Sequence, residues 1–414
     1  MDRNELLERL LQLNPAELAI AISRLGIRSA ILPGSSVAPA QRAIAVLEWC
    51  EARRALTRLQ EVLERAEPAP TPSVASVVKP QTRDEVVSEE SGDLASVTLL
   101  HLSDLHFHED RVDDILVIFD AFWKDLESYS EETGLSPDLI CFTGDMAHSG
   151  RPEQFELAAE HLFEPLLRRF GLGRDRLLWA PGNHDVDRAQ VKKFREAGYL
   201  SLLKDRRSVN NLLDDVEERD EAFARLSAYA EFTRDYMGAL LPEDQHPDYF
   251  TTRVVEVGGL KLGVACLNSA WRCSSDADKG RLWIGDRQRR AALRALGEVD
   301  LRIALMHHPF DWLHTKEARE AEDFCVREFD VVLRGHLHDP RVSYNHRPDG
   351  HCLILPTGAL YQGRGWEGYS WVHLTSKQTQ VHLRRYIDER DKFVPDERTA
   401  DGGLFTVPFV WTRG

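Results

Sequence analysis

The sequence predicts an α/β fold preceded by a small all-α helical bundle. After residue 96, short apolar runs alternate with stretches of helical periodicity, which is typical of layered α/β proteins. Before residue 67, leucines recur at helical spacing and no strand pattern appears. Between these parts, residues 67–96 are rich in Pro, Ser and acidic side chains. Such a segment has little to bury and predicts a disordered acidic linker.

The N-terminal segment, residues 1–66, is expected to form the helical bundle. Asn14-Pro15 is typical of a helix cap followed by proline at the first helical position. A longer amphipathic helix is predicted from about Pro39 to Arg65. The expected apolar side of that helix comprises Ile44, Leu47, Leu56, Leu59 and Leu63.

The larger part of the chain is predicted to form one core over residues 97–387, followed by a C-terminal tail over 388–414. Apolar runs that end in polar loops predict strands in VTLLHL, LICF, RLLW, RVVEVGGLKLGVACL, RIALM, VVLR and CLILP. The segment SWVHLTSKQTQVHLRRY is typical of a closing hairpin. Residues 189–248 are charged, helical in pattern and without strands, so they are interpreted as an insertion.

Composition excludes several classes of protein. No apolar run approaches the ~18–20 residues of a membrane-spanning helix, and the charged N-terminus lacks the apolar core of a signal peptide. Six scattered cysteines without C-x-x-C pairs suit reduced thiols, so a cytoplasmic location is expected. The formal charge of −16 argues against charge-driven binding to long nucleic acid, although it permits a local pocket for one phosphate group.

Five short polar blocks follow predicted strands, at the ends where α/β folds usually place their sites. In isolation, each block has an ordinary explanation as a loop or turn. Together they gather His, Asp and Asn at one strand end after another, and a purely structural role gives no reason for that. The blocks are Asp104-x-His106, Gly144-Asp145, Gly182-Asn183-His184-Asp185, His307-His308-Pro309 and Gly335-His336-x-His338.

The residue types in these blocks indicate a divalent-metal site that cleaves phosphoesters. Imidazole and carboxylate ligands suit Mn, Fe, Ni, Zn and related ions, and no thiolate is present to select a soft metal. Two such ions about 3.5–4 Å apart need a bridging carboxylate and leave positions open for water and substrate. They lower the pKa of bound water and neutralise charge on the phosphoryl oxygens.

The five blocks resemble the pattern of the calcineurin-like metallophosphoesterases over about residues 97–385. The resemblance implies a two-sheet α/β sandwich with helices on its outer faces and a dinuclear metal centre at one edge. It also implies two divalent ions, with Mn as the first candidate and Fe, Ni, Zn or Mg as alternatives. The implied ligands are Asp104, His106 and His338 for one ion, Asn183, His307 and His336 for the other, and Asp145 as the bridge.

Two further residues receive catalytic roles from the same resemblance. His184 matches the non-ligand histidine that binds phosphate and protonates the leaving oxygen, and Asp185 is expected to orient it. Within His307-His308 the residues alone do not decide which one binds metal. His307 is favoured because it is the first after the strand and matches the family position.

The subfamily and the substrate contacts rest on weaker signals. GDMAHSG and GNHD differ from the protein-phosphatase branch, and LSDLHF, PGNHDVD and MHHPFDWL are more similar to the bacterial phosphodiesterase and nuclease branch. Five residues near the blocks are candidates for contacting substrate, with solvated loop positions as the alternative. They are His108, His148, Arg188, Tyr361 and Arg364.

The N-terminal segment is similar to the effector-associated, death-like helical adaptors of bacterial conflict systems. The resemblance rests on Leu25-Gly26-Ile27, the turn at Pro33, and the stretch from Arg42 to Trp49 followed by Leu56 and Leu59. It implies a protein partner or self-association through residues 1–66. The alternative is a helical packing or dimerisation domain without a role in defence.

These observations lead to one functional hypothesis with alternatives. The chain is expected to be a dinuclear-metal-dependent phosphodiesterase that hydrolyses a nucleotide or nucleic-acid phosphodiester as an effector in bacterial defence, with no membrane association. The alternatives are a phosphomonoesterase or pyrophosphatase acting on a small metabolite, and a non-catalytic scaffold. The complete set of ligand-type residues argues against the scaffold.

Overall fold

The computed structural model describes residues 6, 9, 10, 39–52, 56, 59, 60, 63, 95–362 and 367–408. The chain divides into two compact units, Met1–Val87 and Ser88–Gly414. Most of the first unit lies outside the described residues, including the cap expected at Asn14-Pro15, and so does nearly all of the predicted linker over 67–96.

In the first unit, the helix whose bounds the structure describes is α1 (Pro39–Ala52). Its buried side chains, at Ala43, Val46, Leu47 and Cys50, follow the i, i+3, i+4, i+7 spacing of an amphipathic helix. The expectation that Ile44 belongs to this face is wrong, because its side chain is 41% exposed at the solvent side of the stripe. Leu6, Leu10, Leu59 and Leu63 are buried.

The second unit contains two mixed sheets. The first has the strand order β12-β11-β10-β1-β2-β3, with β13 also pairing with β11. Its strands are β1 (Ser96–Leu102), β2 (Leu139–Phe142), β3 (Leu177–Trp179), β10 (Gly368–Thr375), β11 (Thr379–Ile387), β12 (Lys392–Pro395) and β13 (Leu404–Val407). The neighbours β1, β2 and β3 are parallel, so their carboxyl ends lie at the same edge.

The second sheet has the strand order β4-β5-β6-β7-β9-β8. Its strands are β4 (Phe250–Val257), β5 (Leu260–Leu267), β6 (Leu301–Leu305), β7 (Val331–Arg334), β8 (Ser343–Arg347) and β9 (Gly350–Pro356). The four strands β5, β6, β7 and β9 are parallel, and their carboxyl ends also share one edge.

The two sheets pack face to face, and helices cover their outer faces. Alternate residues of β1 divide between two clusters: Leu99 packs with Leu262 and Ile303 of the other sheet, whereas Leu100 belongs to the cluster that includes Phe119 and other helical residues. This alternation follows from the two-residue period of a strand, because both faces of a central strand are buried here. The predicted two-sheet α/β sandwich is confirmed.

The helices of this unit follow the strands as the sequence predicts. They are α2 (Val112–Thr133), α3 (Pro152–Ala158), α4 (Glu164–Phe170), α5 (Lys193–Leu202), α6 (Arg206–Asp214), α7 (Val216–Phe223), α8 (Ser227–Met237), α9 (Asp286–Leu296) and α10 (Thr315–Glu328). A π-helical turn (Ala159–Phe163) joins α3 to α4 just before Pro165, where the missing amide of proline cannot continue the regular hydrogen-bond ladder. Helices α5 to α8 occupy the region interpreted as an insertion.

The C-terminal segment differs from its prediction. Residues 388–414 are expected to form a tail, but β12 and β13 both pair with β11 inside this range. Phe393 and Val407 are buried there, which gives these short strands an apolar anchor despite their polar surroundings. The strand β8 was also not predicted, because SYNHR is a polar edge strand with no apolar run.

Two features bear on the environment of the chain. Among the described residues, no helix combines the length and apolar character that crossing a membrane would require. All six cysteines are buried thiols.

Candidate metal centre

The five polar blocks of the sequence meet at the edge where parallel strands of both sheets end. Asp104, Asp145 and Asn183 lie on the loops after β1, β2 and β3, whereas His307 and His336 lie on the loops after β6 and β7. Backbone hydrogen bonds join these loops to one another, including Asp104 N to Gly144 O at 2.9 Å and Gly335 N to His307 O at 3.2 Å. The sandwich therefore brings together residues that are up to 234 positions apart in the chain.

The backbone at this edge is held in an unusual conformation. Of the described residues, six that are not glycine have φ between 45° and 73°. Five of the six belong to the polar blocks: Asp104, His106, Asp145, His336 and His338. This left-handed region costs an ordinary L-residue roughly 1–2 kcal/mol and concentrates at functional sites. The strain thus marks the same residues that the sequence singles out.

Two glycines allow the loops to approach so closely. A Cβ atom on Gly182 would collide with the Asp145 carboxylate, and one on Gly335 would collide with the Ser103 hydroxyl. Only glycine permits the backbone to lie directly against these side chains. The glycines of the G-N-H-D and G-H-x-H blocks are therefore required by packing around the carboxylates.

The first predicted ligand set converges on Asp104. Its Oδ1 lies 3.0 Å from His338 Nε2 and 3.8 Å from His106 Nε2. One ligand atom from each of these three residues lies within 4.8 Å of the others. Asp104 is fully buried, and both histidines are partly exposed at the surface of the cluster.

The second predicted set converges on His307. Its Nε2 lies 3.2 Å from Asn183 Oδ1 and 3.2 Å from His336 Nδ1. His307 is fully buried, so these nitrogen and oxygen atoms face one another with little access to water. Such a group of lone-pair donors is stable when a cation lies among them.

Asp145 lies between the two sets. Its Oδ2 is 3.3 Å from His307 Nε2 and 3.9 Å from His106 Nε2, so one carboxylate oxygen faces both. Its Oδ1 accepts a hydrogen bond from the backbone amide of His184 at 2.7 Å. This placement is the one that a bridging carboxylate would need.

Hydrogen bonds fix which ring nitrogen of two histidines faces the cluster. His307 Nδ1 donates to the carbonyl of Thr143 at 2.7 Å, and His338 Nδ1 donates to Gln362 Oε1 at 2.7 Å. Because both partners are acceptors, the neutral rings carry their proton on Nδ1 and present the Nε2 lone pair. An outer hydrogen bond of this kind orients metal-binding histidines.

The two adjacent histidines after β6 face different surroundings. His307 faces the carboxylates, whereas the His308 ring contacts Ser269 Oγ through Nδ1 at 2.9 Å and lies 3.7 Å from Cys273 Sγ through Nε2. Both side chains are fully buried. This geometry agrees with the preference for His307 as the ligand. His308 faces Ser269 and Cys273 instead of the carboxylates.

The expected contact between Asp185 and His184 is not made. His184 Nδ1 instead donates to the backbone carbonyl of His148 at 2.8 Å. The buried Asp185 carboxylate accepts three backbone amides, from Asp145 at 2.9 Å, Ala147 at 2.8 Å and Gly182 at 2.8 Å. Asp185 therefore holds the two loops that carry Asp145 and His184, and its effect on His184 passes through the backbone.

Burial and neighbouring charges both shift the pKa values of the buried groups at this site. Burial raises the pKa of Asp185 to about 7, with the Asp145 carboxylate adding to the effect. Burial also opposes ionisation of Asp104 and Asp145, but neighbouring histidines outweigh it and lower both pKa values below the usual range. Burial disfavours the charged form of His307, yet Asp145 and Asp104 raise its pKa to about 9.

The donor set fits divalent cations. Two buried carboxylates attract positive charge, and burial lowers the pKa of His106 to about 4 and that of His336 to about 3, which keeps these rings neutral as lone-pair donors. His106 Nδ1 is buried without a hydrogen-bond partner. Oxygen and imidazole ligands without thiolate suit Mn, Fe, Ni or Zn, so the residues present match the expected ions.

The five residues predicted to contact substrate differ in where they lie relative to the site. The His148 ring lies near the site, with its centroid 5.6 Å from that of His184 and 5.0 Å from that of His108. Arg188 Nη2 donates a hydrogen bond to Asp276 Oδ1 at 2.9 Å. Tyr361 is buried, and its backbone amide donates a hydrogen bond to the Asp104 carbonyl. Arg364 lies outside the described residues.

Three groups that contact the predicted metal-binding histidines were not identified from the sequence. Gln362 orients His338, the Thr143 carbonyl orients His307, and Trp312 packs its ring 3.9 Å from His336. A backbone carbonyl leaves no signal in the sequence. Gln362 follows Tyr361, a candidate selected from the sequence. The sequence does not show that the loop after β9 hydrogen-bonds to the loop after β1, so Gln362 could not be identified from it.

Comparison with known proteins places these residues in a family context. The family model described as calcineurin-like phosphoesterase matches residues 97–340, which include all five polar blocks.

Two curated relatives match shorter segments. A cAMP/cGMP dual specificity phosphodiesterase of Mycobacterium tuberculosis is 38% identical over 98 residues, covering 23% of this chain and 29% of the relative. The glycerophosphodiester phosphodiesterase GpdQ of Enterobacter lignolyticus is 29% identical over 123 residues, covering 29% of this chain and 41% of the relative. The chain thus spans less than half the length of these relatives.

Among solved structures, a dimetal phosphatase from Danio rerio aligns with 77% of this chain and 100% of its own. The sequence identity is 10% and the TM-score is 0.41.

Proposed function

This chain belongs to the calcineurin-like phosphoesterase family, whose members are metal-dependent phosphoester hydrolases, and we propose that its substrate is a nucleotide or nucleic-acid phosphodiester. The observation that carries the proposal is the convergence of Asp104, Asp145 and His307 with four further donors at one strained, buried edge. The names of the two curated relatives, both phosphodiesterases, support the diester over the monoester.

The proposed mechanism assigns a task to each group of residues. Asp104, His106 and His338 would hold one divalent ion, and Asn183, His307 and His336 would hold the other, with Asp145 shared. The ions, Mn in this proposal, would polarise the phosphoryl group and lower the pKa of water at the site. His184 would protonate the leaving oxygen through Nε2, because its Nδ1 is engaged by the His148 carbonyl.

The site also favours binding of a single phosphate rather than a long duplex. The chain carries 68 acidic against 52 basic residues, which disfavours an extended phosphate backbone. His148 and His108 extend the row of rings beside His184, and these rings would contact the ester group of a small nucleotide or a single strand.

We further propose that residues 1–66 form a death-like adaptor that brings the hydrolase to a protein partner, or to a second copy, in bacterial antiphage defence. The similarity of this segment to effector-associated helical modules supports the proposal, and the buried stripe of α1 supports a packed helical unit. The buried thiols suit a reducing cytoplasm.

The test is a substrate panel assayed on the full chain with Mn²⁺. Cyclic nucleotides, dinucleotides, single-stranded and double-stranded nucleic acid, nucleoside monophosphates and pyrophosphate are compared. We expect hydrolysis of at least one diester, loss of that activity with chelator, and its return with Mn²⁺. Cleavage restricted to monophosphates or pyrophosphate would contradict the diester proposal, and metal binding without any turnover would favour a scaffold.

A matched pair of variants tests the bridging role. Asp145→Asn removes one carboxylate charge from the centre, and we expect metal content and turnover to be lost together. Asp349→Asn removes a charge from an exposed turn and should behave as the wild type. Unchanged activity in Asp145→Asn would rule out the dinuclear arrangement proposed here.

A further inference from the structure

Three histidine rings lie together beside the two ligand sets described above. One ring nitrogen from each of His106, His148 and His184 lies within 4.8 Å of the other two. The ring centroids are 4.5 Å apart for His106 and His184 and 5.6 Å apart for His148 and His184. All three residues are partly exposed, so an ion can reach them from solvent. We call these residues the imidazole triad.

Hydrogen bonds to the backbone hold the triad in place. The His148 amide donates to the Phe107 carbonyl at 3.0 Å, and the His148 carbonyl accepts a hydrogen bond from His184 Nδ1 at 2.8 Å. The His106 amide donates to the Asp145 carbonyl at 2.9 Å. The loops after β1, β2 and β3 therefore position the three rings before an ion binds, which lowers the entropic cost of binding.

Each ring of the triad can provide one nitrogen to a cation. His184 Nδ1 is a donor, so the neutral ring presents its lone pair at Nε2. The His148 ring contacts other rings but makes no hydrogen bond among the described residues, so either of its nitrogens can present a lone pair. His106 Nε2 lies 3.8 Å from the Asp104 carboxylate, beyond hydrogen-bond distance, and His106 Nδ1 is buried without a partner. Neutral imidazoles of this kind are the commonest metal ligands in proteins.

A fourth ring, His108, lies next to the triad but does not belong to it. Its centroid is 5.0 Å from that of His148. His108 Nδ1 accepts a hydrogen bond from the Asp110 amide at 3.1 Å, so the neutral ring carries its proton on Nε2. Neither nitrogen of His108 is then free to bind a cation. The triad therefore supplies three nitrogens and leaves the fourth position of a tetrahedral ion to water.

The chemistry of the triad selects a different ion from that of the neighbouring ligand set. Imidazole suits Zn²⁺, Ni²⁺ and Cu²⁺, whereas carboxylate oxygens suit Mn²⁺. The triad contains no carboxylate, but the set that shares His106 contains Asp104. A tetrahedral Zn²⁺ with bonds of about 2.0–2.1 Å holds its nitrogens about 3.4 Å apart, so the partly exposed rings need to approach one another by at most about 1.4 Å. The triad therefore favours Zn²⁺ over Mn²⁺.

We propose that the imidazole triad is an inhibitory site for Zn²⁺. An ion bound there takes His106 from the set that it forms with Asp104 and His338. It also occupies the Nε2 lone pair of His184, and any proton on that nitrogen is released to solvent. The inhibition rests on the proposed function, because that function uses both His106 and His184. Binding of Zn²⁺ to the triad does not depend on which ester is hydrolysed.

Binding is tested without reference to activity, by chemical modification of His148. Diethyl pyrocarbonate modifies imidazole nitrogens that carry a free lone pair, and mass spectrometry locates the modified residues. The full-length chain is compared with Mn²⁺ alone and with Mn²⁺ plus Zn²⁺. We expect Zn²⁺ to slow modification of His148 at least about tenfold, because a bound nitrogen is no longer available. His148 belongs to neither predicted ligand set, so Zn²⁺ confined to those sets would leave its rate unchanged, and that result would overturn the proposal.

Inhibition is tested with bis-p-nitrophenyl phosphate and the Mn²⁺-loaded chain, each variant being compared with its own activity before Zn²⁺ is added. We expect His148→Asn to raise the half-inhibiting Zn²⁺ concentration at least about tenfold, since loss of a ligand costs no less than loss of its outer hydrogen bond. His108→Asn removes the neighbouring ring and should leave that concentration unchanged. Equal values for His148→Asn and wild type would overturn the inhibitory role. Wild type that is inactive before Zn²⁺ is added would contradict the proposed function instead, and protection of His148 would still support the Zn²⁺ site.

Discussion

At the scale of single residues, the centre depends on side chains that do not themselves face the cluster. Gln362 accepts a hydrogen bond from Nδ1 of His338, and the Thr143 carbonyl accepts one from Nδ1 of His307. Asp185 ties three backbone amides together beneath Asp145 and His184. The sequence pattern identifies the side chains of the cluster, but these supports depend on tertiary contacts and cannot be deduced from spacing.

The support from Gln362 leads to a prediction about metal affinity. Gln362→Leu removes the acceptor that orients His338, and we expect Mn²⁺ affinity to fall by about 10–100-fold. Excess Mn²⁺ should restore most of the turnover, because Asp104 and the other donors are intact. Gln378→Leu, in an exposed turn, serves as the control. Equal Mn²⁺ dissociation constants for the two variants would show that Gln362 is dispensable.

His184 gives a prediction that separates proton transfer from metal binding. We expect His184→Gln to retain its metal content and to lose about 10²-fold or more in turnover. The loss should be larger for an alkyl leaving group than for p-nitrophenol, because p-nitrophenolate leaves without protonation. Loss of metal from the variant would identify His184 as a ligand, and an equal loss for both leaving groups would exclude its role as an acid.

At the scale of elements, the apolar runs predict the central strands well because those strands are buried on both faces. β1, β2, β6 and β7 are mostly apolar and end one or two residues before the polar blocks. The strands that sequence reasoning missed lie at sheet edges, where one face meets water and short polar strands suffice. Pairing with β11, rather than composition, makes β12 and β13 strands.

The division of the chain into units gives a prediction at this scale. The Ser88–Gly414 unit buries its own two apolar clusters, so deletion of residues 1–66 should leave hydrolysis of bis-p-nitrophenyl phosphate unchanged. We expect the deletion to alter self-association or partner capture, measured by light scattering and pull-down. An insoluble or inactive truncated chain would contradict the proposed independence of the adaptor.

At the scale of the whole molecule, the sandwich buries ionisable groups far from solvent, and stability becomes dependent on pH. His101, near the C-terminal end of β1, is fully buried, and burial lowers its pKa from 6.5 to about 3. In the unfolded chain this ring takes up a proton below pH 6.5, whereas the folded chain resists it. Its contribution to stability is therefore present above pH 6.5 and is lost as the pH falls toward 3.

This linkage predicts the behaviour of a His101→Gln variant. The amide can still bond to the Thr143 hydroxyl that His101 contacts at 3.0 Å, but it does not titrate. Between pH 7 and pH 5, the wild type should lose about 2 kcal/mol more unfolding free energy than the variant. Urea denaturation of the chelated proteins at both pH values measures the difference. Parallel losses would mean that His101 is protonated without cost in the folded chain.

The left-handed backbone at the metal edge has a consequence for engineering. Five residues there adopt conformations that glycine would occupy at lower cost, and the two carboxylates among them are buried. A redesign that optimised folding alone would replace these residues first. Substitutions that raise thermostability at this edge are therefore expected to remove residues needed for catalysis. Selections for heat resistance should keep these positions unchanged if the variants are to remain active.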